Sequence, residues 1–169
     1  MAEFLPAFER MIVNEGGYVL HTVEGDRGGM TFAGIARNRW PNWAGWAWID
    51  RGDTPSVDMV RGFYKANFWT ALRLDEVENQ DVARTLFDFA VNAGTGTAAK
   101  LAQIVVGTTP DGRFGPKTMT ALNAANPELF VARYALAKLS RYEQIVTRDR
   151  TQGKFLLGWV RRTLKEAAA

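Results

Sequence analysis

The chain of 169 residues has no cysteine, so disulfides and thiolate chemistry are both closed to it. It has one histidine, His21. That excludes the usual zinc ligand sets and leaves a lone imidazole without the acid and nucleophile of a triad; a loop position is expected for it. No run approaches the roughly 18 consecutive apolar residues of a membrane span. The opening MAEFLPAFERMIV scatters charge among its apolar residues and lacks a basic segment followed by an apolar one. No signal peptide is therefore expected, and the protein reads as soluble and made in the cytoplasm. The arginines are spread over several segments without a recognition motif, so nucleic acid is not an expected partner.

What is present suffices for a core. Hydrophobic residues make up 47% of the chain, too many for a disordered polymer. The length fits one domain or two closely fused lobes. Charge is uneven: residues 1–90 carry 9 Lys and Arg against 13 Asp and Glu, a balance of −4, whereas residues 91–169 carry 12 against 5, a balance of +7. A basic C-terminal half suits an anionic partner such as a cell-wall polymer or membrane surface; it suits a plain solvated face equally well.

The pattern is mainly helical. Phe4, Leu5, Phe8, Met11 and Ile12 recur at helical spacing over residues 3–14. Residues 16–36 are glycine-rich and polar, a loop or short hairpin. RWPNWAGWAWIDRGDTP follows, irregular and rich in tryptophan. Ser56 caps a helix carrying Met59, Val60, Phe63 and Tyr64. VARTLFDFAVNAG predicts a helix burying Leu86, Phe89 and Ala90 and closed by Gly94. Thr97 is expected to cap the next helix, which Gly107 ends. Asp111-Gly112 marks a turn, and Pro116 and Asn126-Pro127 open two further helices. In the last segment Phe155, Leu156, Trp159 and Val160 share one side, with Arg161, Arg162 and Lys165 toward the other.

NEGGYVLHTVEGDRGGMTFAGI concentrates carboxylates and glycines just after the first helix. A carboxyl held by apolar neighbours keeps its proton to higher pH, and cleavage of a glycosidic bond needs such an acid. Glu15, following Phe8, Met11 and Ile12, fits that role. Glu24 and Asp26 are candidates for a second carboxylate, and Thr31 for positioning a water. The bland alternative is a helix end followed by a satisfied turn. Trp40, Trp43, Trp46 and Trp48 are expected chiefly in the core, with one or two free to stack on sugar. Asp88 is expected to be an exposed or capping residue.

The motifs resemble a known family. Glu15-Gly16-Gly17-Tyr18-Val19, then Asp26, Gly28, Gly29, Thr31, Gly34 and Ile35, resemble the E-G-G-Y/F-V and D-x-G-G-x-T-x-x-G-I pattern of the glycoside hydrolase family 108 muramidases of phage endolysins and prophages. FYKANFW resembles the family's Y-x-x-x-Y-W segment, with Phe68 in place of the second tyrosine. LFDFAVNAGTGTAAKLAQ and DGRFGPKTMTAL resemble the predicted peptidoglycan domain that follows it. The interval LHTVEG is longer than the family's, so Glu24 competes with Asp26; Asp26 keeps the D-x-G-G-x-T register.

The resemblance implies a mainly α, α+β lysozyme-like fold: a compact helical bundle with a glycine-rich active-site loop or short hairpin. Residues 1–90 would form the catalytic lobe and 91–169 a peptidoglycan-binding lobe, with a glycan cleft between them. It implies hydrolysis of the β-1,4 bond between N-acetylmuramic acid and N-acetylglucosamine, with Glu15 as general acid and Asp26 and Thr31 in support. Tyr18, Asn92 and Arg113 are the expected substrate contacts. No metal or organic cofactor is implied. The partner is bacterial peptidoglycan, with an anionic envelope surface for the basic half, and the protein is expected to be a monomer. Host lysis would follow once a membrane lesion lets it reach the wall. Two rivals stand beside this: a lytic transglycosylase, and a peptidoglycan-binding protein without catalysis.

Overall fold

The computed structural model describes residues 1–22 and 29–167. Glu24 and Asp26 therefore lie outside the described residues. The architecture is mainly helical with one small sheet, as expected. The chain divides into two compact units, one of Glu3–Ala71, the other of Met1–Ala2 with Leu72–Ala169.

In the first unit, α1 (Phe4–Asn14) buries Phe4, Ala7, Phe8, Met11 and Ile12. Three- and four-residue spacings put these on one face. Glu15 caps its C-terminus, and Gly16 and Gly17, at φ +86° and +78°, turn the chain away through a region that disfavours other residues. The predicted loop or hairpin is a three-stranded antiparallel sheet of β1 (Leu20–Thr22), β2 (Met30–Phe32) and β3 (Ile35–Ala36). Its register sets His21 opposite Thr31, and Thr31 opposite Ala36. His21 thus stands on a strand and not in a loop. Ala33 and Gly34 join β2 to β3 with φ +49° and +78°, the paired positive values of a tight hairpin turn.

The short helix α2 (Trp46–Ile49) lies within the tryptophan-rich stretch. Helix α3 (Val57–Tyr64) begins at Ser56, whose hydroxyl accepts from the Met59 N–H at 3.2 Å. The chain then widens into a π-helical turn, Lys65–Trp69. An aromatic cluster ties these pieces together, with Phe8 against Tyr64 at 5.9 Å, Phe4 against Trp69 at 5.6 Å and Trp40 edge-on to Phe63 at 4.9 Å.

The second unit is helical: α4 (Gln80–Ala93), α5 (Thr95–Val106), α6 (Pro116–Ala124), α7 (Pro127–Arg148) and α8 (Gly153–Ala167). Residue 90, the expected lobe boundary, lies inside α4. Leu86, Phe89 and Ala90 are buried as the spacing predicts. Helix α5 starts at Thr95 and not at Thr97, because Gly94, at φ +87°, serves as the break between both helices. Asn126 caps α7 through its side chain, 2.9 Å from the Leu129 N–H.

Asp88 is neither exposed nor a cap. It is 5% exposed and receives both Nε and Nη2 of Arg162, at 3.1 and 3.0 Å. Arg162 accordingly turns inward from α8, where an outward direction was expected. Leu156, Trp159 and Val160 are half-buried, with Trp159 stacked on Tyr142 at 5.1 Å, while Phe155 is exposed. Lys138 of α7 is 2% exposed and donates to Thr85 Oγ1 at 3.0 Å and to the Glu166 carboxylate. A buried charge cluster thus joins α4, α7 and α8.

Candidate active site

Glu15 occupies the C-cap of α1, its N–H donating to the Met11 carbonyl at 3.0 Å. The residue is half-buried. Its side chain lies over the hairpin turn: a Cβ built on Gly34 would stand 3.2 Å from Glu15 Oε2 and 3.3 Å from Glu15 Cβ. The same imagined atom would stand 2.6 Å from the Tyr64 hydroxyl, which donates to the Ala33 carbonyl at 2.8 Å. A helix end, a hairpin turn and a tyrosine from α3 therefore converge on one carboxylate, and glycine at 34 makes the approach possible. Tyr64 is 1% exposed, so this side of the site is closed to solvent. The helical pattern revealed its ring; its hydroxyl partner, 31 residues away, had no local signal.

Thr31 is half-buried on β2, just before that turn. Tyr18 is 39% exposed. Desolvation raises its phenol pKa, Arg61 opposes this, and Glu9 and Asp58 add to it. Glu15, Tyr18 and Thr31 all belong to the first unit, whereas Asn92 and Arg113 belong to the second. The Asn92 amide donates to the Asp88 carbonyl one helical turn back, at 3.3 Å. Arg113 is exposed on the DGRFG turn.

That turn is organised by Gln103, a buried residue that sequence reasoning did not single out. Its amide nitrogen donates to Asp111 Oδ1 at 2.8 Å, Arg113 O at 3.0 Å and Thr118 Oγ1 at 3.2 Å, and its oxygen accepts from the Gly112 N–H at 2.9 Å. The Arg113 N–H and the Gln103 amide hold the Asp111 carboxyl below its usual range. Among the described residues no group of three or more His, Asp or Glu could hold a metal ion. The chemistry these residues offer is acid–base chemistry of carboxyl and phenol groups.

Comparison with known families decides the class. The family model of glycosyl hydrolase 108 matches residues 8–94. The chain belongs to the glycosyl hydrolase 108 family. Its residues 97–164 match the predicted peptidoglycan domain, so this family 108 member is a peptidoglycan-degrading glycosidase. Comparison with curated proteins found no match. Among solved structures, SagA of Brucella abortus is similar over 98% of this chain and 91% of that one, with TM-score 0.74 and 24% identity; that likeness shows a shared fold. The family match spans Glu15 and the whole convergence around Gly34, while Asn92 falls near its end and Arg113 in the peptidoglycan domain.

Proposed function

We infer that the protein is an N-acetylmuramidase, hydrolysing the β-1,4 bond between N-acetylmuramic acid and N-acetylglucosamine, with Glu15 as general acid. The observation that carries this reading is the half-buried Glu15 carboxylate held at a helix end over the Gly34 turn. A proton donor needs a fixed position against the leaving oxygen, and rigid elements on both sides provide one. Glu15 protonates the glycosidic oxygen as the bond to the anomeric carbon breaks. Asp26 is the second carboxylate of this proposal, activating water or stabilising the oxocarbenium-like charge. Thr31 orients that carboxylate or the water, and Tyr18, Asn92 and Arg113 contact glycan or stem peptide.

The biological setting proposed is host-wall lysis by a phage or prophage, with the protein a monomer. The outer face of α8 would add affinity for an anionic envelope surface. It carries Lys154, Arg161 and Lys165 beside Leu157 and Leu164, which are 59% and 56% exposed.

Digestion of purified sacculi by the parent protein and by Glu15→Gln, with mass spectrometry of the products, tests the reading. Reducing N-acetylmuramic acid ends that vanish in the variant are expected. Anhydro ends would make the protein a lytic transglycosylase. Sacculus binding without any product would leave a binding protein.

A further inference from the structure

The first unit holds an open cleft of about 390 Å³, walled by Trp40, Trp43 and Phe63 and rimmed by Arg39, Asn42 and Asn67. That volume lies in the range of small-ligand sites, which combine apolar walls with a few polar groups. The indoles are held from behind. Trp43 lies on Gly45 so closely that a Cβ there would stand 2.2 Å from its ring. It stacks on Phe32 at 6.1 Å and meets Trp46 edge-on at 5.1 Å. The Trp46 indole N–H donates to the Trp40 carbonyl at 2.8 Å. Trp40 in turn meets Phe63 at 89°.

Trp46 is 3% exposed and acts as the anchor, yet Trp40 and Trp43 stay half-buried. Fixing two large indoles without burying them leaves their free surfaces toward the cleft. The rim is not apolar: Arg39 and Asn42 are exposed, and the Asn67 amide is oriented by its 2.8 Å bond to the Phe63 carbonyl. An apolar helix or lipid chain would leave these groups desolvated without partners. A sugar ring matches both parts, with a C–H face for the indoles and hydroxyl and acetamido groups for amides and guanidinium.

We propose that this cleft is a glycan subsite binding one N-acetylhexosamine ring, with Trp40 and Trp43 as its stacking walls and Asn42, Asn67 and Arg39 as its polar rim. The proposal rests on the glycan-cleaving reading above and adds a place where the strand is gripped apart from Glu15.

The test is titration of ¹⁵N-labelled Glu15→Gln protein with the N-acetylglucosamine trimer, following the indole N–H signals, assigned through Trp40→Phe and Trp43→Phe. The Trp40 and Trp43 signals should shift saturably while those of Trp69 and Trp159 stay in place. Adding Ala44→Gln, which extends an exposed side chain lining the cleft, should weaken that binding about tenfold. Static Trp40 and Trp43 signals, or binding indifferent to Ala44→Gln, overturn the subsite. Sacculus digestion by the parent protein separates the two readings: products with static indoles sink the subsite alone, whereas absent products sink the hydrolase reading.

Discussion

The Tyr64 hydroxyl donates to the Ala33 carbonyl at 2.8 Å, and both groups border the turn over which Glu15 lies. Gly34→Ala introduces a methyl 2.6 Å from that hydroxyl and 3.2 Å from Glu15 Oε2, at a φ of +78° that disfavours alanine. The turn or the carboxylate must shift. Sacculus hydrolysis is expected to fall by at least tenfold, since small displacements of an acid are costly. Tyr64→Phe keeps the ring packing and removes the hydrogen bond, at about 1–3 kcal/mol of stability. Turbidity clearance and thermal melting, measured on both variants, check the pair.

Gln103→Ala strips four hydrogen bonds from a residue 1% exposed. A loss of about 2–4 kcal/mol is expected. Gln103→Glu should be worse, because a carboxylate keeps the bond from Gly112 but turns an acceptor toward Asp111. Urea denaturation gives the order, and sacculus pull-down should weaken with the distorted DGRFG turn. Unchanged pull-down would remove that turn from the binding surface.

The charge cluster of the second unit makes stability pH-dependent. Burial pushes the Glu166 carboxyl up to about 7, helped by the Asp88 hydrogen bond and charge and opposed by Lys138. A raised acid stabilises the fold fully below its unfolded value near 4.3, and that contribution is lost as pH rises through about 7. Burial would raise Asp88 too, but hydrogen bonds from Glu166 and Arg162 and the charges of Arg162 and Lys138 hold it lower. Its contribution is present above about 3.9 and is lost as pH falls further. The melting temperature should therefore drop by several degrees between pH 6 and 8, on the order of 1–3 kcal/mol. Glu166→Gln should flatten that drop.

Asp88→Asn replaces the buried carboxylate beside Arg162 with a neutral amide, while Arg162 stays half-buried with Glu166 3.4 Å away, so a cost of about 1–3 kcal/mol is expected. Catalysis by the protein that remains folded should persist at low temperature, because Asp88 serves α8 and not the bond being broken. Loss of activity in a variant with an unchanged melting curve would instead make Asp88 a working acid.

Local chemistry was legible in the sequence and distant pairing was not. Ser56, Asn126-Pro127, Gly94 and Gly107 announce helix ends through groups a few residues apart, and each stands where it was read. Asp88 offered no such clue, because its partner Arg162 is 74 residues away. The same distance hid the inward turn of Arg162, since an arginine among apolar neighbours reads as solvent-facing. Thr97 misled because its hydroxyl is a good capping group, whereas Gly94 alone makes the break and α5 begins at Thr95 directly after it. At the site, Glu15 and its glycines form a local motif, but the brace from Tyr64 arises only once α3 packs on α1.

Gly45 is glycine for an unusual reason: its φ of −61° suits any residue, and the nearest obstacle to a side chain is the Trp43 ring, 2.2 Å from where a Cβ would stand. The two positions should therefore mutate together. Alanine or serine at 45 becomes admissible when 43 shrinks, so a randomised library selected for folding would return coupled pairs at 43 and 45 and almost no lone changes at 45. The same library, selected on glycan, would keep the tryptophan and with it the glycine.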